Sequence, residues 1–553
     1  ADIVVETYTD SQNRTKSAGF IGSLAGKSNV QYVFAAGKVE NKTDKQLYNF
    51  VGTPDTLKTM VTNSFVIENA GGISNITEGI GAEILREATS QEAKTSDFYK
   101  NSMNLNEETW NLSLVPMKGY PELKGMEKRE IIKVNTAEDF MKMKDFPTQE
   151  YHLEADIDLS ETAQAENVIP EFSGVLDGKN HKITGLKAPL FGQMNGTVSY
   201  VAIDAGAIET GNSADTTVGI FANTMTNANV EKVMIANGSI SSTAGKAAGF
   251  AGTVTSSNVK NIFLQGKVNA SSTAAGFAET SDRSVMENIY VNAEVNGANG
   301  AGFLVNSTGE NTYKNICFVG DAAENMHKLA GTNITFTNAY ELSAADGISS
   351  AAEVNGVKTI GKEVWTKAFY TETLKLDTSV WDAEKAETNG YPLLKEFNVN
   401  LSPMTVEIQK PQDIRKMNKL PEGRFTITAD LDFTEYSAAD SRETDAANSA
   451  QTGTYLVTET FTGNVNGGNH KVSGMKGAMF KQLSGKVENL EFRNILVDNE
   501  AAGANVLAET TQNANVKNVH FNGITLRGAG YTGMIGKDTG STFSQISVQN
   551  TDV

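Results

Sequence analysis

Apolar and polar residues alternate along most of this chain in short runs that are separated by turn-forming residues. The segment "NVKNIFLQGKV", from Asn258, is one such run, and a Gly-Phe step introduces similar runs at Gly249, Gly276 and Gly302. Alternation with a period of two predicts β-strands that bury one face. Each copy therefore predicts a strand, a polar turn and a second strand, and the copies recur every 26 to 30 residues between Gly219 and Gly302.

A repeat of this length that contains only strands and turns favours a solenoid. One copy cannot bury its apolar face alone, whereas stacked copies share a continuous core. We therefore predict an all-β fold of tandem parallel, right-handed β-helix units, with short capping helices and coils about 4.8 Å apart. The residues predicted to line the coil interior in rows are Phe250, Phe277 and Phe303, and Ile262, Ile289 and Ile316.

Asparagines occupy the same place in successive copies. Asn261, Asn288 and Asn315 are 27 residues apart, and Asn518 takes the equivalent place further along the chain. A stacked asparagine bonds both the backbone of a turn and its own copy in the next coil. We interpret these residues as a structural ladder; the alternative is a polar row that binds a ligand.

A second repeat has a much longer period. Residues 97–124 match residues 368–395 at an offset of 271, and residues 172–191 match residues 461–480 at an offset of 289. The chain therefore predicts three units. Residues 1–125 are the C-terminal part of a first β-helix unit, residues 126–398 a complete second unit, and residues 399–553 the N-terminal part of a third.

Each unit begins and ends with a recognisable segment. A short amphipathic helix, Thr136 to Met143 with Asn135 as its N-cap, is expected to cover the open edge of the coils. Each unit closes on a tryptophan and a Gly-Tyr-Pro segment, so Trp110 and Trp381 are expected to be buried at the C-terminal ends of the first two units; Trp365 adds apolar area to the second. The alternative is that these rings are exposed and stack on sugars.

The stretch "GVLDGKNHKITGL", from Gly174, resembles an active site because Asp177 and His181 would suit an acid–base pair. The stretch recurs, however, and the second copy keeps the histidine as His470 but has Asn466 in place of the aspartate. We therefore interpret His181 and His470 as structural residues of a turn.

Two aspartate pairs recur beside the predicted cap helices. Asp156 and Asp158 in "EADIDLS" match Asp430 and Asp432 in "TADLDFT". Carboxylates two residues apart on a strand point to the same face. They suit a calcium site or the paired acid and base of sugar cleavage. Because both copies adjoin a cap helix, we favour a structural role, with calcium as the second interpretation.

Composition limits the classes of function. The chain has 47 Lys and Arg against 66 Asp and Glu, a net charge of −19, which argues against a nucleic-acid partner or an anionic membrane surface. Its single cysteine, Cys317, excludes an intrachain disulfide and is expected to be a core residue. No apolar run is long enough to predict membrane insertion. The chain opens without a signal peptide, and we expect it to be an internal fragment of a larger protein.

The search for catalytic motifs is negative. The sequence contains no His-Glu-x-x-His, no Gly-x-Ser-x-Gly and no phosphate-binding Gly-Lys-Ser/Thr loop. One cysteine and five histidines exclude a thiolate zinc site. We predict no catalytic residue and no cofactor; calcium at Asp156, Asp158, Asp430 and Asp432 is the alternative.

The Gly-apolar-x-Gly steps "GFIG", "GFAG" and "GMIG" resemble the GLUG motif of bacterial surface proteins. The order "DIDLS", "FSGVLDGKNHKITGLKAPLF", "NVKNIFLQGKV" and "FY…W…GYPLLK" resembles the β-helical N-terminal region of Gram-positive zinc metallopeptidases of the immunoglobulin A protease type. The resemblance implies a parallel β-helix in a secreted or wall-attached protein. It implies no activity here, since the family's His-Glu-x-x-His centre lies in a separate C-terminal domain.

Together these patterns predict a non-catalytic stalk or binding module of an extracellular bacterial protein, secreted or attached to the cell wall. The expected partner is a host or bacterial surface protein or a glycan. The resemblance adds that the parent protein is a candidate zinc metallopeptidase. The alternative is a β-helix enzyme, a polysaccharide lyase or glycoside hydrolase, with Asp156 and Asp158 as the reacting groups.

Overall fold

The computed structural model of the chain forms two compact units, Ala1–Glu130 and Ile131–Val553. It describes residues 3–5, 20–21, 29–35, 39–41, 47–52, 61–68, 71, 73–77, 80–112, 115–118, 120–124, 131–211, 213–331, 334–352, 354–395, 397, 399, 401–435, 455–499 and 502–553. The Gly-Phe step at Gly19, Gly119 of the first Gly-Tyr-Pro segment and the predicted boundary at residue 125 lie outside these ranges. The division into three units stays a prediction.

The N-terminal unit contains, among its described residues, nine short strands, one α-helix, a 3-10 turn at Glu92–Lys94 and a π-helical turn at Phe98–Ser102. The strands and the α-helix are β1 (Ile3–Val5), β2 (Val30–Gln31), β3 (Phe34–Ala35), β4 (Val39–Asn41), β5 (Val61–Thr62), β6 (Ser64–Ile67), β7 (Leu85–Ala88), β8 (Trp110–Asn111), β9 (Glu122–Leu123) and α1 (Val115–Lys118). The pairs β1–β4, β2–β5, β3–β6 and β6–β7 are parallel, whereas β8 and β9 form an antiparallel pair. Parallel pairing between successive chain segments is the arrangement of a coil stack.

The second unit opens with a long coil stack, residues 131–360, which we call the long stack. Its strands are β10 (Ile131–Val134), β11 (Glu150–Leu153), β12 (Ile157–Asp158), β13 (Ile169–Phe172), β14 (Val175–Asp177), β15 (Lys182–Thr184), β16 (Phe191–Met194), β17 (Thr197–Asp204), β18 (Ala207–Thr210), β19 (Thr217–Gly219), β20 (Ala222–Thr226), β21 (Asn229–Ser242), β22 (Lys246–Ala248), β23 (Ala251–Thr255), β24 (Asn258–Ala270), β25 (Thr273–Ala275), β26 (Ala278–Asp282), β27 (Val285–Asn296), β28 (Asn299–Ala301), β29 (Leu304–Thr308), β30 (Thr312–Phe318), β31 (Thr337–Leu342) and β32 (Val357–Ile360).

Three parallel sheets form the sides of the long stack. A 13-stranded sheet runs from β10 to β32, a 6-stranded sheet follows β13-β16-β20-β23-β26-β29, and a 4-stranded sheet follows β19-β22-β25-β28. Each strand pairs with the strand one coil later, as between β24 and β27. The predicted all-β fold of parallel β-helical coils is confirmed.

The interior of the long stack is a continuous apolar core. The predicted rows Phe250, Phe277, Phe303 and Ile262, Ile289, Ile316 are all fully buried in it, as predicted. The rings of Phe250 and Phe277 stack with centroids 4.6 Å apart and planes only 3° from parallel. The identical residue in each coil therefore meets its own copy, which is why the repeat length is nearly constant.

A shorter coil stack, residues 406–549, follows in the same unit, and we call it the short stack. Its strands are β35 (Val406–Ile408), β36 (Arg424–Ile427), β37 (Leu431–Asp432), β38 (Tyr455–Phe461), β39 (Asn464–Ser473), β40 (Ala478–Leu483), β41 (Lys486–Asn499), β42 (Asn505–Gln512), β43 (Asn515–Gly528), β44 (Gly533–Thr539) and β45 (Thr542–Gln549). They form a 7-stranded and a 4-stranded sheet, and every pair within them is parallel.

Short helices accompany the coils of this unit. They are α2 (Ala137–Met141), α3 (Lys385–Asn389) and α4 (Arg415–Lys419), with 3-10 turns at Lys142–Lys144, Ser350–Ala352, Lys362–Trp365 and Pro411–Ile414, and a π-helical turn at Phe369–Thr373. Phe140 of α2 is fully buried and joins the core of the long stack beside β10. The predicted N-cap Asn135 is wrong by one residue: Thr136 is the N-cap, because its side chain accepts the Asp139 N–H and Asp139 in turn accepts the Asn135 N–H.

The segment between the two stacks, residues 362–394, contains β33 (Trp381–Asp382) and β34 (Leu393–Leu394), an antiparallel pair; we call it the side strip. We expected it to cover the last coil, but it lies along the outer face of the large sheet. Tyr391 packs on Phe263 of β24, with centroids 5.6 Å apart, and Phe369 packs on Tyr340 of β31 at 5.1 Å. The physical reason is that this outer face is itself apolar. Its members are Ala202, Met234, Phe263, Tyr290, Cys317 and Tyr340.

Candidate functional site

The two aspartate–histidine arrangements that the sequence singled out have nearly identical geometry. Asp156 Oδ1 lies 3.2 Å from His181 Nδ1 and accepts the backbone N–H of Lys182 at 2.9 Å. In the second copy, Asp430 Oδ1 lies 3.3 Å from His470 Nδ1 and accepts the Lys471 N–H at 3.0 Å. Each aspartate therefore joins one coil to the next, where the chain turns.

Asp158 and Asp432 hold a neighbouring turn. Asp158 Oδ1 accepts the Ser160 N–H at 2.9 Å, and Asp432 Oδ1 accepts the N–H and hydroxyl of Thr434 at 2.9 and 2.6 Å. These backbone and hydroxyl hydrogen bonds lower the pKa of both carboxyls. Burial alone would raise the pKa of Asp156, but the hydrogen bonds from Lys182 and His181 outweigh it and the net shift is downward.

Asp177 is not the partner of His181. Its Oδ1 accepts the Lys179 N–H at 3.0 Å, and its Oδ2 lies 2.7 Å from Lys179 Nζ. The histidine instead faces Asp156, which lies 25 residues earlier in the sequence. Within the described ranges, no three His, Cys, Asp or Glu side chains come together as ligands for a metal ion.

The asparagines form a ladder of side-chain amides. Nδ2 of Asn288 donates to Oδ1 of Asn261 at 3.0 Å, Asn315 to Asn288 at 2.8 Å, and Asn338 to Asn315 at 3.0 Å. All four residues have left-handed backbones, with φ between 54° and 65°. Asparagine tolerates this conformation better than other residues with a side chain. The short stack repeats the device, with Asn489 donating to Asn466 and Asn518 to Asn489.

The side strip contacts the two end residues of the ladder in the long stack, Asn261 and Asn338. The Trp381 indole N–H donates to Asn261 Oδ1 at 3.1 Å, and Asn338 Nδ2 donates to the carbonyls of Thr373 and Leu374. Trp381 is 1% exposed, whereas Trp110 in the N-terminal unit is partly buried beside a cluster that includes Phe98 and Tyr99. Cys317 is buried under the strip, and burial raises the pKa of its thiol.

A cleft of about 760 Å³ separates the outer face of the long stack from that of the short stack. One wall carries Ser239, Lys267 and Glu294, which occupy the same place in β21, β24 and β27. Residues Ser402 to Thr405, which connect the stacks, line its edge. A volume of this size accommodates a ligand of several rings.

The opposite wall is an ordered polar grid, which we call the short-stack grid. Two columns of side chains pass through three successive strands, β36, β39 and β41. The members are Arg424, Asn464 and Lys486 in one column and Thr426, Asn466 and Glu488 in the other. The columns continue outside the cleft in Asn515 and Lys517 of β43.

Most charges of the cleft are already paired. Lys267 lies 2.7 Å from Glu294, and Lys486 lies 2.8 Å from Glu488. Arg424 differs: its Nη2 donates to the backbone carbonyl of Glu387 at 2.9 Å, and its guanidinium lies 5.8 Å from the Trp365 ring centroid. Burial lowers the pKa of Arg424, and no carboxylate among the described residues counters that effect.

A buried ion cluster joins the two stacks at one end of the cleft. Lys416 of α4 is 3% exposed, and its Nζ lies 2.9 Å from Asp321 and 3.1 Å from Asp346, both of the long stack. Arg415 adds a contact to Asp346 at 3.0 Å. Burial would lower the pKa of Lys416, but the attraction of the surrounding carboxylates outweighs it and raises that pKa.

Sequence reasoning missed the cleft, Arg424 and the ion cluster. Their residues are far apart in the chain, as with Asp321 and Lys416 at a separation of 95. One signal in the sequence could have indicated the cleft. Outward positions in β36, β39 and β41 carry Arg, Thr, Asn, Lys and Glu, whereas the corresponding face of the long stack, under the side strip, is apolar.

Comparison with known proteins does not identify a family. No family model matches the chain, and no curated protein matches it. Among solved structures, the chain is similar to a candidate immunoglobulin A1 protease from Bacteroides ovatus, at 15% identity and a TM-score of 0.34, over 48% of this chain and 92% of that chain. It is also similar to two structures of the PL6-family alginate lyase AlyGC, at 10 and 11% identity and a TM-score of 0.17, over 76% of this chain and 80% of those chains. Similarity of this size assigns no activity.

Proposed function

We propose that this chain is a non-catalytic binding and stalk module of a bacterial surface protein, and that it recognises a glycan or a surface protein. The observation that carries the proposal is the cleft between the two stacks, with its ordered grid of amide, hydroxyl and charged side chains. Repeat faces of this kind form extended binding surfaces.

The junction between the stacks supports a stalk role. The buried cluster of Lys416 with Asp321 and Asp346 links a helix of the short stack to loops of the long stack. Removing one member of such a cluster leaves buried charge without a partner, so the cluster favours one relative orientation. A fixed orientation between the two stacks is what a stalk requires.

An extracellular location, secreted or attached to the cell wall, is part of the proposal. Extensive strand pairing stabilises the coils without a disulfide, which suits a chain with one buried cysteine. The GLUG-like steps also support it. No helix in the described part of the chain has the length and apolar character to span a membrane.

The glycoside hydrolase alternative lacks a suitable acid at Asp156 and Asp158. Glycoside cleavage needs a carboxylic acid whose pKa is raised so that it holds a proton near neutrality. The pKa values of both carboxyls are lowered, and each is engaged in hydrogen bonds that hold a turn. The same roles recur at Asp430 and Asp432.

A paired binding and turnover experiment tests the proposal. The protein is incubated with immobilised glycans, with purified cell walls and with host surface proteins, and the same polysaccharides are analysed for shortened products. We expect saturable binding and intact polysaccharide. Cleavage that disappears in Asp156→Ala would replace the binding module with an enzyme.

The parent protein is a separate part of the proposal. We infer that the chain belongs to the N-terminal region of a larger zinc metallopeptidase. Sequencing the complete gene for a His-Glu-x-x-His segment and a wall-sorting signal tests this inference. A gene that encodes neither would leave a surface module without a protease.

A further inference from the structure

We infer that the cleft binds an acidic oligosaccharide, and that Arg424 recognises a carboxylate of that chain. The inference rests on the proposed binding function and specifies its ligand. Arg424 differs from the other two cations of the cleft, Lys267 and Lys486, because each of those has a glutamate of its own within 3 Å.

Arg424 is half-buried and has unused hydrogen-bonding capacity. A guanidinium carries five N–H donors, and the one donor contact made by Arg424 is to the Glu387 carbonyl. Buried charges in proteins are normally paired. The planar donors of arginine match a carboxylate in a two-pronged pair. A ligand carboxylate would therefore supply the partner that the described residues lack.

The surroundings of Arg424 favour a chain of sugars. Asn464 and Asn466 on the next strand, and Thr426 beside Arg424, present amide and hydroxyl groups. Successive coils repeat at about 4.8 Å, which is close to the length of one pyranose ring along an extended glycan. The grid continues beyond the cleft in Asn515 and Lys517, both exposed, so a longer chain would find further polar contacts.

A peptide fits this cleft less well. Extended peptides commonly bind by adding a strand to an exposed sheet edge, where backbone groups meet backbone groups. The short-stack wall is the face of a sheet, and its strands β36, β39 and β41 already pair with one another. Side chains alone would have to satisfy the peptide backbone.

Calorimetric titration of the full chain tests the inference. The probes are oligogalacturonates of defined length and the same oligosaccharides with their carboxyl groups reduced. We expect the acidic series to bind, with affinity that rises with length until the cleft is filled, and the reduced series to bind at least about tenfold more weakly. Arg424→Gln should weaken the acidic series by a similar factor.

Two further variants make the result specific. Arg493→Gln, at an exposed arginine of the same stack, should bind as the wild type does. Asn464→Ala should weaken binding while Arg424 and Trp365 stay unchanged, so a folding defect of Arg424→Gln would not decide the test. Near-ultraviolet circular dichroism reports on the fold of each variant.

The contrary outcomes are distinct. Equal binding of acidic and reduced oligosaccharides would overturn the inference. Affinity that is unchanged in both the Arg424 and the asparagine variants would overturn it too. Neither result would contradict the proposed binding function. Binding of a peptide that Arg424→Gln abolishes would also overturn it. Failure to bind any glycan, cell wall or surface protein would contradict the proposed function as well.

Discussion

The indole N–H of Trp381 donates to the side-chain oxygen of Asn261, 120 residues earlier, at 3.1 Å. The same Asn261 oxygen also accepts the side-chain N–H of Asn288, the next residue of the asparagine ladder, at 3.0 Å. The ladder and the side strip therefore meet at one acceptor, the Asn261 side-chain oxygen, which accepts a hydrogen bond from each of them.

Replacing Trp381 with Phe tests how much the hydrogen bond to Asn261 stabilises the protein. The ring volume remains largely filled, but the donor is lost, and we expect a loss of about 1 kcal/mol in the free energy of unfolding. Urea unfolding followed by circular dichroism measures this loss.

Fluorescence quenching tests the burial of the same residue. An aqueous quencher should reduce the emission of Trp381 less than that of Trp110, because Trp381 is 1% exposed and Trp110 is only partly buried. Strong quenching at Trp381, with a shift on adding glycan, would instead indicate a sugar-stacking residue.

The ladder is tested at Asn288, whose φ is 57°. Glycine accepts this backbone conformation and removes only the amide contacts, whereas alanine also introduces strain. Both variants should lose stability, and Asn288→Ala should be less stable than Asn288→Gly by about 1 kcal/mol. Equal stability of the two variants would show that the left-handed backbone is not what selects asparagine.

The stacked core is tested at Phe277, which lies between Phe250 and Phe303 and is fully buried. Truncation to alanine should cost about 3–5 kcal/mol, and hydrogen exchange should quicken mainly in the adjacent coils. Tyr531→Ala is the matched control, because that ring is 66% exposed. An unchanged unfolding midpoint for Phe277→Ala would contradict the stacking.

The ion cluster predicts a dependence of stability on pH. Burial works to raise the pKa of Asp346, but Lys416 and Arg415 outweigh it and lower that pKa. A carboxyl with a lowered pKa in the folded state adds stability above its unfolded value of about 3.9, and that stability is lost as the pH falls through the folded value.

Asp346→Asn should therefore lose less stability than the wild type when the pH is lowered below about 4. Unfolding in urea at several pH values measures the difference. Asp413 has the opposite effect on the pH dependence of stability, because burial raises the pKa of its carboxyl group. Asp498→Asn, at an exposed pair with Arg527, should leave the pH profile unchanged. Parallel profiles for wild type and Asp346→Asn would rule out this coupling.

Variants of the repeated aspartates distinguish between two interpretations, a residue that holds a turn and a ligand of calcium. Asp156→Asn keeps an oxygen acceptor for the Lys182 N–H, whereas Asp156→Ala removes it. We expect a loss of about 1 kcal/mol for alanine and little change for asparagine, and a melting temperature that is the same in calcium and in chelator. A rise in melting temperature with calcium that disappears in Asp156→Asn would support the metal site. Asp430 provides a second copy for the same comparison.

Local repetition allowed the coil architecture to be predicted well. The Phe and Ile rows and the asparagine ladder follow from residues that recur every 26 to 30 positions, because stacking places each residue on its own copy. The interpretation of Asp156 and His181 as structural residues rested on their second copy at Asp430 and His470, and the contact between the two side chains was not predicted. The position of Trp381 was predicted less well than the core rows, because this residue covers a side of the coils and not the last coil.

The sequence by itself determined the elements that depend on neighbours one coil away: strands, turns, core rows and ladders. Tertiary structure decided where the side strip lies, which carboxylates surround Lys416, and that Arg424 enters a cleft without a carboxylate partner among the described residues. The physical reason is the range of the interactions. A coil repeats its contacts at a fixed spacing that the sequence displays, whereas the contacts between two stacks join residues that share no spacing and are chosen only when the folded faces meet.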